Sequence, residues 1–156
     1  MKNERMFVIS VIKSKRTDTS TVCYLANQVE YKIIKMTMNE KYFPKRARFI
    51  ITNEVIESAM NVAKNFNIAN DLFPSTEEKL KIREQYQYIG KANLISLEHQ
   101  LNLCNQLFNI PSGVLAEIFD MIKEIKSKYS NWVKSARKIL NKELEKQNKK
   151  SEERME

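Results

Sequence analysis

Apolar residues recur at alternating spacings of three and four along most of the chain, which is the period of an amphipathic α-helix. The first such segment begins near Thr19 or Thr21, either of which can cap a helix. It stops between Asn39 and Phe43, because Pro44 disfavours helical geometry in the residue before it. Its apolar face consists of Val22, Ala26, Val29, Ile33 and Met36.

Three more amphipathic segments follow the first. Pro44 can open the second helix, where its missing N–H costs nothing. Ser75 followed by Glu78 predicts a capping box at the start of the third helix, and Pro111 or Ser112 opens the fourth. The apolar face of the second helix is Val55, Ala59, Val62, Phe66 and Ala69. That of the third helix is Leu80, Gly90, Leu94, Leu97, Leu101, Cys104 and Phe108. That of the fourth helix is Leu115, Ile118, Ile122, Ile125, Trp132, Ala136 and Ile139.

This pattern predicts an all-α protein in which the helices form an antiparallel up-down-up-down four-helix bundle. Such helices are unstable alone and must pack on one another, and short connections make sequence neighbours antiparallel. Residues 19–141 form the predicted bundle. Residues 1–18 form a basic N-terminal arm whose segment 6–12 is typical of a short strand. Residues 142–156 form a charged tail, predicted as a fraying helix end or a disordered segment.

Composition supports the helical prediction and excludes several other classes. The 156 residues include 2 Gly and 3 Pro, where average usage gives roughly 11 and 8. Turn-rich β-folds and Gly-rich phosphate loops need more glycine than this. The apolar run at residues 6–12 is too short to span a bilayer, and no small-residue cleavage site follows it. We therefore expect a cytoplasmic protein without a membrane partner, in which Cys23 and Cys104 are reduced or buried thiols.

The positive charge is concentrated in three segments. The net charge of the chain is +8. Residues 1–20 carry +3, residues 32–48 carry +5 and residues 123–150 carry +7, so the rest of the chain carries −7. A basic balance of this kind indicates a polyanionic partner.

Two basic blocks within these segments are the predicted nucleic-acid-binding residues. The first block is Lys41, Lys45, Arg46 and Arg48, and the second block is Lys126, Lys128, Lys134, Arg137 and Lys138. Aromatic residues lie among the cations of the first block. These cations lie at the start of the second helix, where positive charge is unfavourable to the helix dipole. An equally weighted alternative is that these cations pair with acidic neighbours near Asp71 or Glu84. In the second block, Lys134, Arg137 and Lys138 share one helix face.

The sequence offers no catalytic or metal-binding constellation. His99 is the single histidine, so neither a zinc site with the usual spacing nor a di-iron bundle motif can be built. No nucleophile elbow is present, and both cysteines lie on predicted core faces. We expect a protein that is not an enzyme and that uses no cofactor and no metal.

Several aromatic and apolar residues lie beside the core faces in greater number than a lone bundle needs. Tyr86, Ile95, Phe119 and Trp132 are the predicted interface between copies of the chain. Exposed apolar patches of this kind usually mark interfaces.

These motifs together resemble a known family. They are Phe43-Pro44-Lys45 with Arg48-Phe49 at the start of the second helix, then Ile56-Glu57-Ser58-Ala59, Arg83 with a run of leucines, and Trp132-Val133-Lys134-Ser135. Over about residues 20–140 the chain resembles the small bacterial four-helix bundle family. That family includes the accessory variability determinant of diversity-generating retroelements and proteins encoded in intervening sequences of bacterial large-subunit ribosomal RNA genes.

The resemblance implies a function and a set of partners. Such accessory proteins form five-fold homo-oligomers with a positively charged surface. They bind the reverse transcriptase of the retroelement and its template RNA, or the RNA/cDNA product, and support error-prone cDNA synthesis without being enzymes. Three alternatives stay open: a helical scaffold for an acidic protein, a ribosomal-RNA-associated four-helix protein without a reverse-transcriptase partner, and a helical enzyme with an unrecognised site.

Overall fold

The computed structural model describes residues 18–154, and this part of the chain consists of four α-helices and no β-strand. Helix α1 spans Asp18–Thr37, α2 spans Asn53–Asp71, α3 spans Glu77–Leu107 and α4 spans Ser112–Glu152. This confirms the all-α prediction with four helices. The arm predicted for residues 1–18 lies outside the described residues, except that Asp18 begins α1.

Each α-helix packs against two others and buries the apolar face that the pattern predicted. Helix α1 packs on α2 and α4, and α3 packs on the same two helices. All the predicted apolar positions of α1 and α2 are buried. A second, smaller cluster of Leu80, Ala136 and Leu140 joins α3 to α4 beyond the main core. Leu140 is buried at this end, and the predicted Ile139 is only half-buried.

Three contacts show which parts of the helices lie together. The Cys23 Sγ–H in α1 donates to the Phe66 carbonyl near the end of α2 at 3.3 Å. Lys32, late in α1, forms an ion pair of 2.7 Å with Glu117 early in α4. The third contact is the smaller apolar cluster, in which Leu80 near the beginning of α3 packs with Ala136 and Leu140 late in α4.

The entry into α2 is less regular than predicted. Pro44 precedes a 3₁₀ turn at Lys45–Ala47, a π-helical turn follows at Arg48–Thr52, and regular α geometry begins only at Asn53. The buried side chains of Ala47 and Ile51 hold this segment against the bundle. The segment is therefore helical from Lys45, but its pitch changes twice before α2 begins.

The N-terminal cap of α3 is Thr76, which corrects the predicted capping box of Ser75 and Glu78. The backbone of Thr76 is extended, and its hydroxyl accepts a hydrogen bond from the Lys79 amide at 3.2 Å. The Ser75 amide instead donates to the Phe73 carbonyl within the preceding turn. The cap therefore falls one residue later, where Lys79 occupies the position at which a capping box needs Glu or Gln.

Residues 142–152, predicted as part of a charged tail, continue α4 as an almost fully exposed helix. No helix within residues 18–154 combines the length and the apolarity that crossing a membrane requires.

Candidate nucleic-acid interface

The first basic block lies on the segment between α1 and α2, and all four of its cations are exposed. Lys45 forms an exposed ion pair of 3.3 Å with Glu40, so the acidic partner is neither of the two neighbours considered from the sequence. Within residues 21–154, Lys41, Arg46 and Arg48 form no ion pair. Their charge is therefore available to an external anion.

Buried aromatic and apolar side chains fix the position of this block. The Phe43 side chain is 3% exposed, and its ring packs on that of Phe108 with a centroid separation of 5.2 Å. Ala47 and Ile51 are buried on the same side of the segment. Because these side chains face the core, the alternate positions Arg46 and Arg48 extend into solvent.

The second basic block on α4 is partly neutralised. Arg137 lies between two carboxylates of α3, at 3.7 Å from Glu77 and 3.4 Å from Glu84. Lys126 pairs with Glu98, and Lys128 pairs with Glu124 at 3.3 Å one turn earlier on α4.

Two cations of the second block are left without an ion pair among the described residues. These are Lys134 and Lys138, which are both exposed and line a surface depression that also includes the ion-paired Glu84 and Arg137. The free positive charge of this block is therefore smaller than its sequence indicates.

The structure does not bring the two blocks together. The first block packs through Phe43 against Phe108, immediately after the last residue of α3. The second block contacts Glu77, the first residue of α3. Helix α3 has 31 residues and is therefore ~46 Å long. Arg46 lines a depression with Leu107 at the end of α3, and Lys134 and Lys138 line another with Glu84 near its start, so these unpaired cations lie near opposite ends of α3.

The four predicted interface residues differ in accessibility. Ile95 is 52% exposed, and Tyr86 and Phe119 are half-buried against the core. Trp132 is only 2% exposed and packs edge-on against Phe66 at 5.2 Å. Trp132 therefore belongs to the core of its own chain, which corrects its assignment to an interface between copies.

A buried polar layer on α3, which the sequence pattern did not predict, consists of Arg83 and Gln87. Arg83 is 4% exposed, and its Nη1 donates to the Leu72 carbonyl at 3.0 Å, so the guanidinium caps the carboxyl end of α2. Burial lowers the pKa of Arg83, and its guanidinium lies 5.8 Å from the centre of the Trp132 ring. Gln87 is fully buried, and neither its amide oxygen nor its amide nitrogen has a hydrogen-bond partner among the described residues.

The spacing of these residues was the available signal for the polar layer. Positions 83 and 87 fall on the predicted face between Leu80 and Gly90. Their polar side chains argued against burial, since arginine and glutamine are mostly exposed.

Potential nucleophiles and metal ligands are dispersed. Burial raises the pKa of the Cys23 thiol to about 12 and that of Cys104 to about 11, so both thiols are neutral at physiological pH and poor nucleophiles. His99 is exposed. Within residues 21–154, no three His, Cys, Asp or Glu side chains are close enough to hold a metal ion together.

A surface cleft of about 550 Å³ lies between α1 and α2. Its lining includes Glu30, Glu57 and Lys64, so carboxylates outnumber cations there. Burial raises the pKa of Glu30. The cleft therefore lacks the positive charge of the two basic blocks.

In comparisons with known proteins, no protein-family model, no curated protein and no solved structure matches this chain. The chemistry of its own surface therefore has to carry the functional argument.

Proposed function

We propose that the protein is a non-enzymatic RNA-binding helical bundle. The observation that carries this proposal is that, among the described residues, five exposed cations of the two basic blocks have no acidic partner: Lys41, Arg46, Arg48, Lys134 and Lys138. Side chains of this kind contact phosphate oxygens and release counterions, which gives affinity without reading sequence.

The proposal includes an up-down-up-down antiparallel arrangement of the four helices. Contacts between the start of α1 and the end of α2, and between the end of α1 and the start of α4, support it. So does the pairing of Arg137 in late α4 with Glu84 in early α3. Such a bundle presents each basic block at a different end, so each block acts as a separate patch.

A narrower form of the proposal follows from the family resemblance. In this form the protein is cytoplasmic, assembles into five copies and assists a reverse transcriptase by binding it and its template RNA. In such an assembly the weak patch is repeated, and linked sites raise the effective concentration of each for one RNA. The residues left free in each block are few, so a single chain alone would bind RNA weakly and with strong salt dependence.

The experiment is an anisotropy titration of a labelled RNA at several salt concentrations. The first-block variant carries Lys41→Gln, Arg46→Gln and Arg48→Gln, and the second-block variant carries Lys134→Gln and Lys138→Gln. Arg137 is kept because its removal would leave Glu77 and Glu84 without their shared cation. A control variant with Lys64→Gln, Lys81→Gln and Lys123→Gln removes three charges, as the first-block variant does, from exposed positions outside both blocks, and a control with Lys64→Gln and Lys81→Gln matches the two charges of the second-block variant.

We expect each block variant to weaken binding of every RNA sequence, and the salt slope to fall by about one unit for each lost phosphate contact. The two losses should add in free energy, since the blocks are far apart. Equal binding by the parent and both block variants would refute the proposal. Binding of an acidic protein with no RNA binding would favour the scaffold alternative instead. Error-prone cDNA synthesis by an adjacent reverse transcriptase, with and without the protein, tests the narrower form.

A further inference from the structure

Three large apolar side chains are exposed beside the first basic block. Phe49 is 87% exposed, Ile50 is 78% exposed and Leu107 is 60% exposed. Ile50 and Leu107 line a cleft of about 300 Å³ between the π-helical turn and the end of α3, and Arg46 and Phe108 also line it. The cleft joins an apolar surface to a cation that has no ion pair among the described residues.

The local backbone accounts for this exposure. Ala47 and Ile51 are the side chains that anchor the segment to the core, so the two residues between Arg48 and Ile51 face away from it. Burying a phenylalanine or isoleucine side chain stabilises a protein by ~1.5–3 kcal/mol. Leaving both exposed forgoes that stabilisation, and an exposed apolar patch in a small protein usually marks a binding surface.

The charge around the patch selects an anionic partner. Residues 41–53 include four cations and no acidic residue. Single-stranded nucleic acid is complementary to both features of the patch. Its bases expose their π-faces to the apolar side chains, and its backbone carries phosphates for the cations. A duplex hides those faces within its stack.

We propose that Phe49 and the Ile50–Leu107 cleft form a base-stacking site for single-stranded RNA, with Arg46 and Arg48 on the flanking phosphates. This inference rests on the proposed RNA-binding function and adds a preference for unpaired strands.

The test compares a labelled 12-nucleotide single strand with the corresponding 12-base-pair duplex, using the full chain. Phe49→Leu keeps an apolar side chain and removes the aromatic face, and Phe49→Trp keeps the face. Loss of base–aromatic stacking weakens binding by about 5- to 100-fold. We expect Phe49→Leu to weaken single-strand binding by a factor in this range and duplex binding less than twofold, and Phe49→Trp to bind single strands as the parent does. Phe73→Leu is the matched control, because Phe73 is 55% exposed and lies beyond the other end of α2.

A spectroscopic measurement separates stacking from a general loss of structure. Trp132, the single tryptophan of the chain, is 2% exposed, so the new indole of the Phe49→Trp variant is the one that RNA can reach. Single-stranded RNA should quench its emission, and the duplex should leave the emission unchanged.

The outcomes also separate this inference from the broader proposal. RNA binding with equal affinity for the two strand forms and no effect of Phe49→Leu would overturn the stacking site and leave the basic blocks standing. No binding of either RNA would overturn both. If the protein binds anionic lipid vesicles or another protein through Phe49 and does not bind RNA, the patch belongs to that partner and the inference is refuted.

Discussion

Gly90 on α3 lies so close to the Phe66 ring of α2 that a Cβ atom at position 90 would overlap the ring atoms Cδ1 and Cε1. The Phe66 ring cannot easily move aside, because it is fully buried and packs against Trp132 and Tyr129. The absence of a side chain at Gly90 is therefore what allows α2 and α3 to approach at this level.

Substitution of Gly90 by alanine tests this contact, because the close packing and helix propensity predict opposite changes in the free energy of unfolding. Alanine is favoured over glycine by ~1 kcal/mol in a helix interior, but overpacking a core costs typically ~1–3 kcal/mol. We expect Gly90→Ala to lower the free energy of unfolding, measured by chemical denaturation. Gly113→Ala is the control, since a Cβ there meets nothing within 4 Å, and it should be neutral or stabilising.

The buried faces of α3 and α4 should show the usual cost of cavity formation. Leu97 and Ile122 are both fully buried in the main core. Leu97→Ala or Ile122→Ala should lower the free energy of unfolding by ~2–5 kcal/mol. Leu144→Ala, at a side chain 40% exposed on the extension of α4, should have a much smaller effect. Equal effects at all three positions would contradict the assignment of the core.

Gln87 provides a test of the buried polar layer. An unsatisfied buried polar group costs about 1–3 kcal/mol, so Gln87→Met, which keeps a similar shape without polar atoms, should raise the midpoint of denaturation. Gln87→Ala should lower it by creating a cavity. If Gln87→Met also destabilises the protein, the Gln87 amide has hydrogen bonds that the described residues do not show.

The two thiols should make stability fall at alkaline pH. Burial raises the pKa of Cys23 to about 12 and of Cys104 to about 11 from an ordinary value of 9.0. Because the unfolded chain ionises first, the stabilisation is fully present below pH 9.0 and is lost as pH rises toward 11–12. Burial also raises the pKa of Tyr129, which adds a decline of the same sign.

The measurement is denaturant unfolding at pH 8, 10 and 11 for the parent and for a Cys23→Ala, Cys104→Ala variant. The variant starts from a lower stability, but its loss of stability between pH 8 and 11 should be smaller than that of the parent. An equal loss in both proteins would show that the thiols do not contribute.

Self-association is the prediction that depends on the apolar edge residues. Ile95 is 52% exposed on α3, and Tyr86 and Phe119 are partly exposed. We expect light scattering to give the mass of an oligomer, five copies in the proposed form, and Ile95→Lys to lower that mass without loss of helical content. Met38→Lys, at a side chain 77% exposed beyond the end of α1, is the control. A monomeric parent at micromolar concentration would contradict the prediction.

Sequence periodicity predicted the positions that face the core far better than the details at the helix ends. Val55, Val62 and Phe66 are buried as predicted, because the spacing of three and four fixes a helix face whatever the neighbouring helix is. The cap at Thr76 could not be assigned in advance, since Ser75 and Thr76 are both suitable caps and the turn before them decides which is extended.

Candidate site residues were less predictable, because ion pairing depends on which helices become neighbours. Arg137 is neutralised by Glu77 and Glu84, which precede it by more than fifty residues in sequence. Arg48 has the same apparent character in the sequence and remains without an ion pair among the described residues. The burial of Trp132 likewise depends on Phe66 and Gly90, two residues on other helices.

The two changes of pitch between Pro44 and Asn53 have a consequence for backbone motion. Hydrogen bonds of 3₁₀ and π turns have poorer geometry than those of an α-helix, and this segment presents several exposed side chains to water. Its amide protons should therefore exchange with solvent through small local openings. The amide protons near Val62 and Leu97 should exchange only when the whole bundle unfolds. A stretch of backbone that opens locally thus adjoins the ring pair of Phe43 and Phe108, which packs the same segment against the end of α3.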